Sequence, residues 1–146
     1  MHAGIACCHL PISPMRLSLQ KKVTNMGLDQ NALGELRALD PDGSAGLLEQ
    51  IIASYLSDAA NLIQQIASAS AAHDIATLQR HAHSLKSTSL TVGAVRVGAV
   101  ARELETACKT GAIDVLPLFL TALSAEYAAA ERLLQAERNT LQSQAA

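Results

Sequence analysis

Leu47, Leu48, Ile51, Ile52, Tyr55, Leu56, Ala59, Leu62, Ile63 and Ile66 recur at steps of three and four. That spacing marks one face of an α-helix, sustained over roughly five turns. A stripe this wide has to be buried against two neighbours, so the chain must supply further helices to cover it. The composition agrees. Hydrophobic residues make up 49% of the 146 positions, but aromatics only 2%. A core built from Leu, Ile, Val and Ala favours close-packed helices over a sheet. The length fits one domain. A net charge of −2 leaves no bulk electrostatic footprint of a nucleic-acid partner. No uninterrupted apolar run reaches bilayer length, so no membrane insertion is expected.

Taken in order, Met1 to Gly27 has no sustained period and is expected to form a flexible leader. Its apolar stretch is short and broken by His9, Pro11 and Pro14, unlike a signal peptide. His2, Cys7, Cys8 and His9 match no standard zinc spacing. Three cysteines, Cys7, Cys8 and Cys108, make no disulfide framework, and a reducing cytoplasm is the natural expectation. A first short helix is predicted over Leu28–Leu39, capped by Asp29, with Leu33, Leu36 and Leu39 at helical spacing. Asp40-Pro41-Asp42-Gly43 stops it with turn chemistry. Ser44 opens the second helix, which frays through the Ser/Ala-rich residues 67–72.

Asp74 caps a third helix running to about Val92, with His73 exposed in the turn before it. Gly93 is the expected stop, as a C-cap, a point of close partner approach, or both. A fourth helix is predicted from Val95 to Thr110, with Val97, Val100, Leu104 and Ala107 inward and Gly111 at its end. The last begins near Asp114 or Pro117 and carries Leu116, Leu120, Leu123, Tyr127, Ala130, Leu134 and Leu141 inward. Its polar end, from Gln135, is expected to fray, leaving residues 143–146 as a tail. Long helices joined by short turns are most economically packed as an antiparallel up-down four-helix bundle. The domain is drawn over residues 28–142.

The third helix holds the unusual chemistry. Ile75, Leu78, Ala82, Leu85, Ser89 and Val92 form its inward stripe. His83 follows Ala82 and so points about 100° away from it. Lys86 and Ser87, three and four residues on, share the face of His83. An imidazole beside an ammonium is a poor metal ligand and a plausible nucleophile toward an anionic substrate, because the cation neutralises a transferred phosphoryl group. His81 is the competing nucleophile, but it sits about 160° around the helix from His83 and lacks the Leu-Lys offset. No Gly-rich nucleotide loop accompanies the site, so no ATP-dependent kinase activity is expected.

His83-Ser84-Leu85-Lys86-Ser87-Thr88-Ser89, followed by Gly93, resembles the active helix of histidine-containing phosphotransfer (HPt) domains. The resemblance extends over about Leu28–Leu134. It implies that His83 is phosphorylated, that Lys86 stabilises the phosphoryl group, and that the first short helix covers one end of the bundle. The usual glycine after the lysine is Ser87 here. The family often has a polar residue at the position of Glu105 that orients the imidazole. By spacing alone Glu105 could equally pair with Arg102 or Lys109 on the surface. The resemblance also implies a docking face formed by Gln79, Ser87 and Leu90 around His83.

The expected function is therefore that of a phosphocarrier in a multistep two-component phosphorelay. It takes the group from a receiver-domain aspartate and passes it to another receiver. The partners implied are receiver domains of response regulators and of a hybrid sensor kinase. The chain itself needs no cofactor, Mg2+ belonging to the partner, and a cytoplasmic monomer is expected. The alternative is a helical adaptor that binds such partners without phosphate exchange. A metal-binding bundle is a third reading, but the Glu-x-x-His pairs it needs are missing from the sequence.

Overall fold

The computed structural model describes residues 27–145, and all regular structure among them is helical. The helices are α1 (Gln30–Ala38), α2 (Leu47–Ala71), α3 (Ile75–Thr91), α4 (Val95–Thr110) and α5 (Leu116–Ala145), with a single 3-10 turn at Ile113–Val115 before the last. Packing is most extensive between α3 and α4, then between α2 and α3. Helix α5 lies against both α4 and α2, and α1 rests on α2. The leader and the His2, Cys7, Cys8 and His9 group lie outside the described residues.

The core is aliphatic, as composition requires. Ile52, Leu56, Ile66, Leu78, Leu85, Val97, Leu104, Leu123 and Leu134 are buried within one cluster. Cys108 joins it, and burial pushes its thiol pKa up. One polar pair sits inside this apolar core. The hydroxyls of Tyr55 on α2 and Ser89 on α3 are 2.8 Å apart, and both side chains are buried. Burial raises the phenol to about 12, so it stays protonated and available to the bond.

Helix boundaries follow local chemistry. The Asp29 carboxylate accepts from the backbone N–H of Asn31, and that of Asp74 from Thr77. Helix α3 ends in a Schellman turn: Ala94 N–H reaches the Ser89 carbonyl, with Gly93 at φ 81°. The turn after α2 has the same form, Asp74 N–H reaching the Ala69 carbonyl, but its left-handed residue is His73, at φ 57°.

Several expectations need correction. Leu39 is 68% exposed, because α1 ends at Ala38 and the chain turns away before that side chain reaches the core. Ser44 does not open α2. The helix begins at Leu47, whose N–H is taken by the Asp40 carboxylate, while Ser44 N–H is held by Asp42. Helix α5 does not fray from Gln135 but runs to Ala145. Ion pairs of Arg37 with Glu137 and of Arg138 with Glu49 fasten that end to α1 and α2. The segment Ile113–Ser143 is also long and apolar enough to meet the length and composition of a bilayer span. Asp114, Thr121, Ser124 and Glu126 break it, which hides it from a search for unbroken apolar runs. Here Leu116, Leu123, Ala130 and Leu134 are core residues, and the Tyr127 hydroxyl donates to the Leu56 carbonyl at 2.8 Å.

A β-carbon in the left-handed region costs about 1–2 kcal/mol, against about 0.5–1 kcal/mol of added chain entropy for glycine. His73→Gly should therefore stabilise the protein by about 0.5–1 kcal/mol, raising the thermal midpoint by about 1–4 °C. A calorimetric scan showing an unchanged or lower midpoint would mean that this turn carries no strain.

Candidate functional site

Helix α3 buries Leu78, Ala82, Leu85 and Ser89, which turns His83, Ser87 and Leu90 outward. The His83 side chain is 59% exposed. Gln79, one turn before it, is half-buried, and Ser87, one turn after, is exposed. Arg80 is held locally by Thr77, at 3.1 Å.

The exposed ring is nevertheless anchored from the neighbouring helix. Glu105 lies on α4 with only 7% of its side chain exposed. Its Oε2 accepts from His83 Nδ1 at 2.8 Å and is ion-paired with Lys109 Nζ at 3.3 Å. Its Oε1 accepts from Lys86 Nζ at 2.7 Å. A buried carboxylate is costly unless charged donors surround it. Here Lys86 first, then His83 and Lys109, outweigh desolvation and hold the Glu105 carboxyl down at about 2. The group is ionised and can only accept, so Nδ1 carries the hydrogen. The neutral ring then keeps Nε2 as its unprotonated nitrogen, on an exposed side chain.

The two readings left open by spacing thus occur together: Glu105 faces His83, and it pairs with Lys109 one turn on. Arg102 and His81 are not among its partners. Arg102 instead lines a groove beside the site with Lys86, Leu90, Val95, Gly98 and Thr106. Leu90 is 48% exposed there.

Gly93 stops α3 as expected, in the left-handed turn. It is buried, and a β-carbon on it would lie 2.7 Å from the Asp29 carbonyl oxygen. Its own carbonyl accepts from Asp29 N–H at 2.8 Å. The close approach seen here is that of the start of α1. Gly98 is a residue the sequence reading missed. A β-carbon there would stand 2.9 Å from Leu90 Cδ2 and 3.7 Å from the Lys86 carbonyl, so its absence lets α3 and α4 close beside the lysine. The available signal was a glycine inside a helix, unfavourable unless something packs on it. Lys109 was visible as an i,i+4 partner of Glu105, but not as a member of the same cluster as His83. Among the described residues no three His, Cys, Asp or Glu side chains group as a metal site.

The depressed Glu105 pKa has a signed consequence. Its folded value, about 2, lies below the ordinary 4.5, so its stabilisation is present above pH 4.5 and is lost as pH falls toward 2. Glu105→Gln should flatten the fall in urea midpoint between about pH 5 and pH 2 relative to wild type. Parallel profiles for the two proteins would show that the carboxylate gains nothing from its three donors.

Comparison with known proteins gives this site its family. The profile of the Hpt domain matches residues 50–139. The crystal structure of histidine-containing phosphotransfer protein B (HptB) from Pseudomonas aeruginosa PAO1 superposes with a TM-score of 0.71 at 25% identity, covering 77% of this chain and 95% of that one. A rice protein assigned as a histidine-containing phosphotransfer protein superposes at 0.75, over 89% of this chain and 93% of its own, and at 19% identity it shows the fold alone. No curated protein matches the chain at a significant level. A profile match over more than half the chain, on a helical fold shared with both structures, makes this chain a member of the Hpt domain family of phosphotransfer relays.

Proposed function

We propose that the chain is a phosphocarrier that takes a phosphoryl group from a receiver-domain aspartate onto His83 Nε2 and returns it to another receiver. The observation that carries this reading is the Glu105–His83 bond on an exposed ring, with Lys86 on the same carboxylate. In the forward step the Nε2 lone pair forms the N–P bond as the P–O bond of the partner's acyl phosphate breaks. The released electron pair leaves on the partner's aspartate. Nδ1 keeps its hydrogen, so the ring gains positive character directly opposite Glu105 Oε2. Such transfer depends mainly on in-line positioning and charge neutralisation. Lys86 supplies a cation to the phosphoryl oxygens, and Mg2+ and the acidic pocket belong to the receiver. The chain acts without ATP-dependent activity of its own.

The same reading takes α2 to α5 as an antiparallel up-down four-helix bundle with α1 covering one end, within a carrier domain of about residues 28–142. The three-residue turns after α2 and α3 support it. It takes the partners as receivers of response regulators and of a hybrid sensor kinase, met by a cytoplasmic monomer. Gln79, Ser87 and Leu90 form the docking face, and Leu90 is its exposed apolar contact.

Two measurements test it. Incubation with a phosphorylated receiver should put acid-labile label on wild type and on His81→Gln, but not on His83→Gln. Label missing from all three, with receivers of several relays tried and the fold intact, would favour the binding-only adaptor. Separately, Leu90→Asp should slow transfer by about tenfold, equivalent to about 1.4 kcal/mol of docking energy, without lowering the thermal midpoint. Unchanged kinetics would remove Leu90 from the interface.

A further inference from the structure

Glu105 is shared among more cations than one carboxylate needs. Lys86 holds Oε1 at 2.7 Å, while His83 and Lys109 share Oε2. The two lysines differ in commitment. Lys86 is close and only 26% exposed, whereas Lys109 is at 3.3 Å and 57% exposed. The carrier reading, on which this inference rests, asks Lys86 to leave Glu105 for the phosphoryl group on Nε2. That group brings a charge of about −1.5 to −2. If Lys86 left alone, a buried carboxylate would lose its nearest counterion at the moment a second anion arrives beside it. Lys109 lies one turn along α4 from Glu105 and is already paired with it at 3.3 Å.

We propose that Lys109 is a positioning residue: the reserve cation of Glu105, which keeps the carboxylate neutralised while Lys86 moves onto the phosphoryl group of His83. Lys109 then acts only through Lys86 and touches neither the phosphoryl group nor the partner. Helix α4 thereby carries both the acceptor that orients the ring and the cation that releases the lysine.

The test uses phosphoramidate, a donor with no surface to be steered. His83 Nε2 attacks its phosphorus, the new N–P bond forms, and the P–N bond of the donor breaks with ammonia leaving. Rates of phosphohistidine formation are read by phosphorus NMR on wild type, Lys109→Gln, Lys109→Arg, Lys86→Gln and the Lys86→Gln/Lys109→Gln double variant. Lys109→Gln should slow the reaction about threefold to tenfold, and Lys109→Arg should restore it, within the range expected of coupled neighbours. In the Lys86→Gln background, removing Lys109 should add nothing. A wild-type rate for Lys109→Gln, or a loss that multiplies with that of Lys86→Gln, overturns the proposal. The second result would instead give Lys109 a direct contact with the phosphoryl group. Wild type that stays unlabelled by both phosphoramidate and a phosphorylated receiver overturns the carrier reading and this inference together. Labelled wild type with an indifferent Lys109 overturns only the inference.

Discussion

The carboxylate of Glu105, buried between α3 and α4, is the interaction on which the site depends. An isolated buried carboxylate would be strongly unfavourable. This one is tolerated because one hydrogen of His83, one lysine from α3 and one from its own helix converge on it. In return it fixes which nitrogen of an otherwise exposed imidazole carries the proton. The ring needs no enclosing pocket, because a single charge-assisted bond orients it and leaves its far side open. The inward face of α3 is small and aliphatic, and its neighbour carries a glycine, Gly98, where the two helices come together.

Much of the fold is legible in the sequence because its determinants are local. The three-and-four stripe of Leu48 to Ile66, the caps Asp29 and Asp74, and the limits Val95 and Thr110 with Gly111 after them all depend on residues within a turn or two. What local pattern does not carry is the partner of a side chain across the fold. The cap of α2 comes from Asp40, seven residues before the helix begins, so Ser44 reads falsely as its opener. Gly93 reads locally as a helix stop, and nothing nearby in sequence announces that Asp29 will also lie on it. The C-terminal end of α5 reads as fraying because its ion pairs are with residues of α1 and α2.

The site divides in the same way. His83, Lys86, Ser87 and Leu90 are placed on one outward face by helical arithmetic alone, given the buried stripe of α3. Glu105 belongs to another helix, and spacing cannot say how one helix is rotated against the next. That rotation is set by shape, with Val97, Ala101 and Leu104 packed into the core. The carboxylate therefore arrives opposite His83 through packing, and its pairing with Lys109 follows automatically from their i,i+4 relation.

The hydrogen bond between Tyr55 and Ser89 has a bearing on this that its modest strength conceals. The buried stripe of Leu78, Ala82 and Leu85 sets the rotation of α3 only coarsely, because apolar contacts are non-directional. A single polar pair is directional. Rolling α3 by one residue, about 100°, would leave the Tyr55 hydroxyl without its partner in a dry environment, at a cost of about 1–3 kcal/mol. Ser89 lies six residues after His83 on the same rigid helix, so whatever fixes the phase of one fixes the phase of the other. The two hydroxyls work as an index mark: within the setting that the apolar stripe gives coarsely, they hold α3 at the angle at which the imidazole meets its carboxylate.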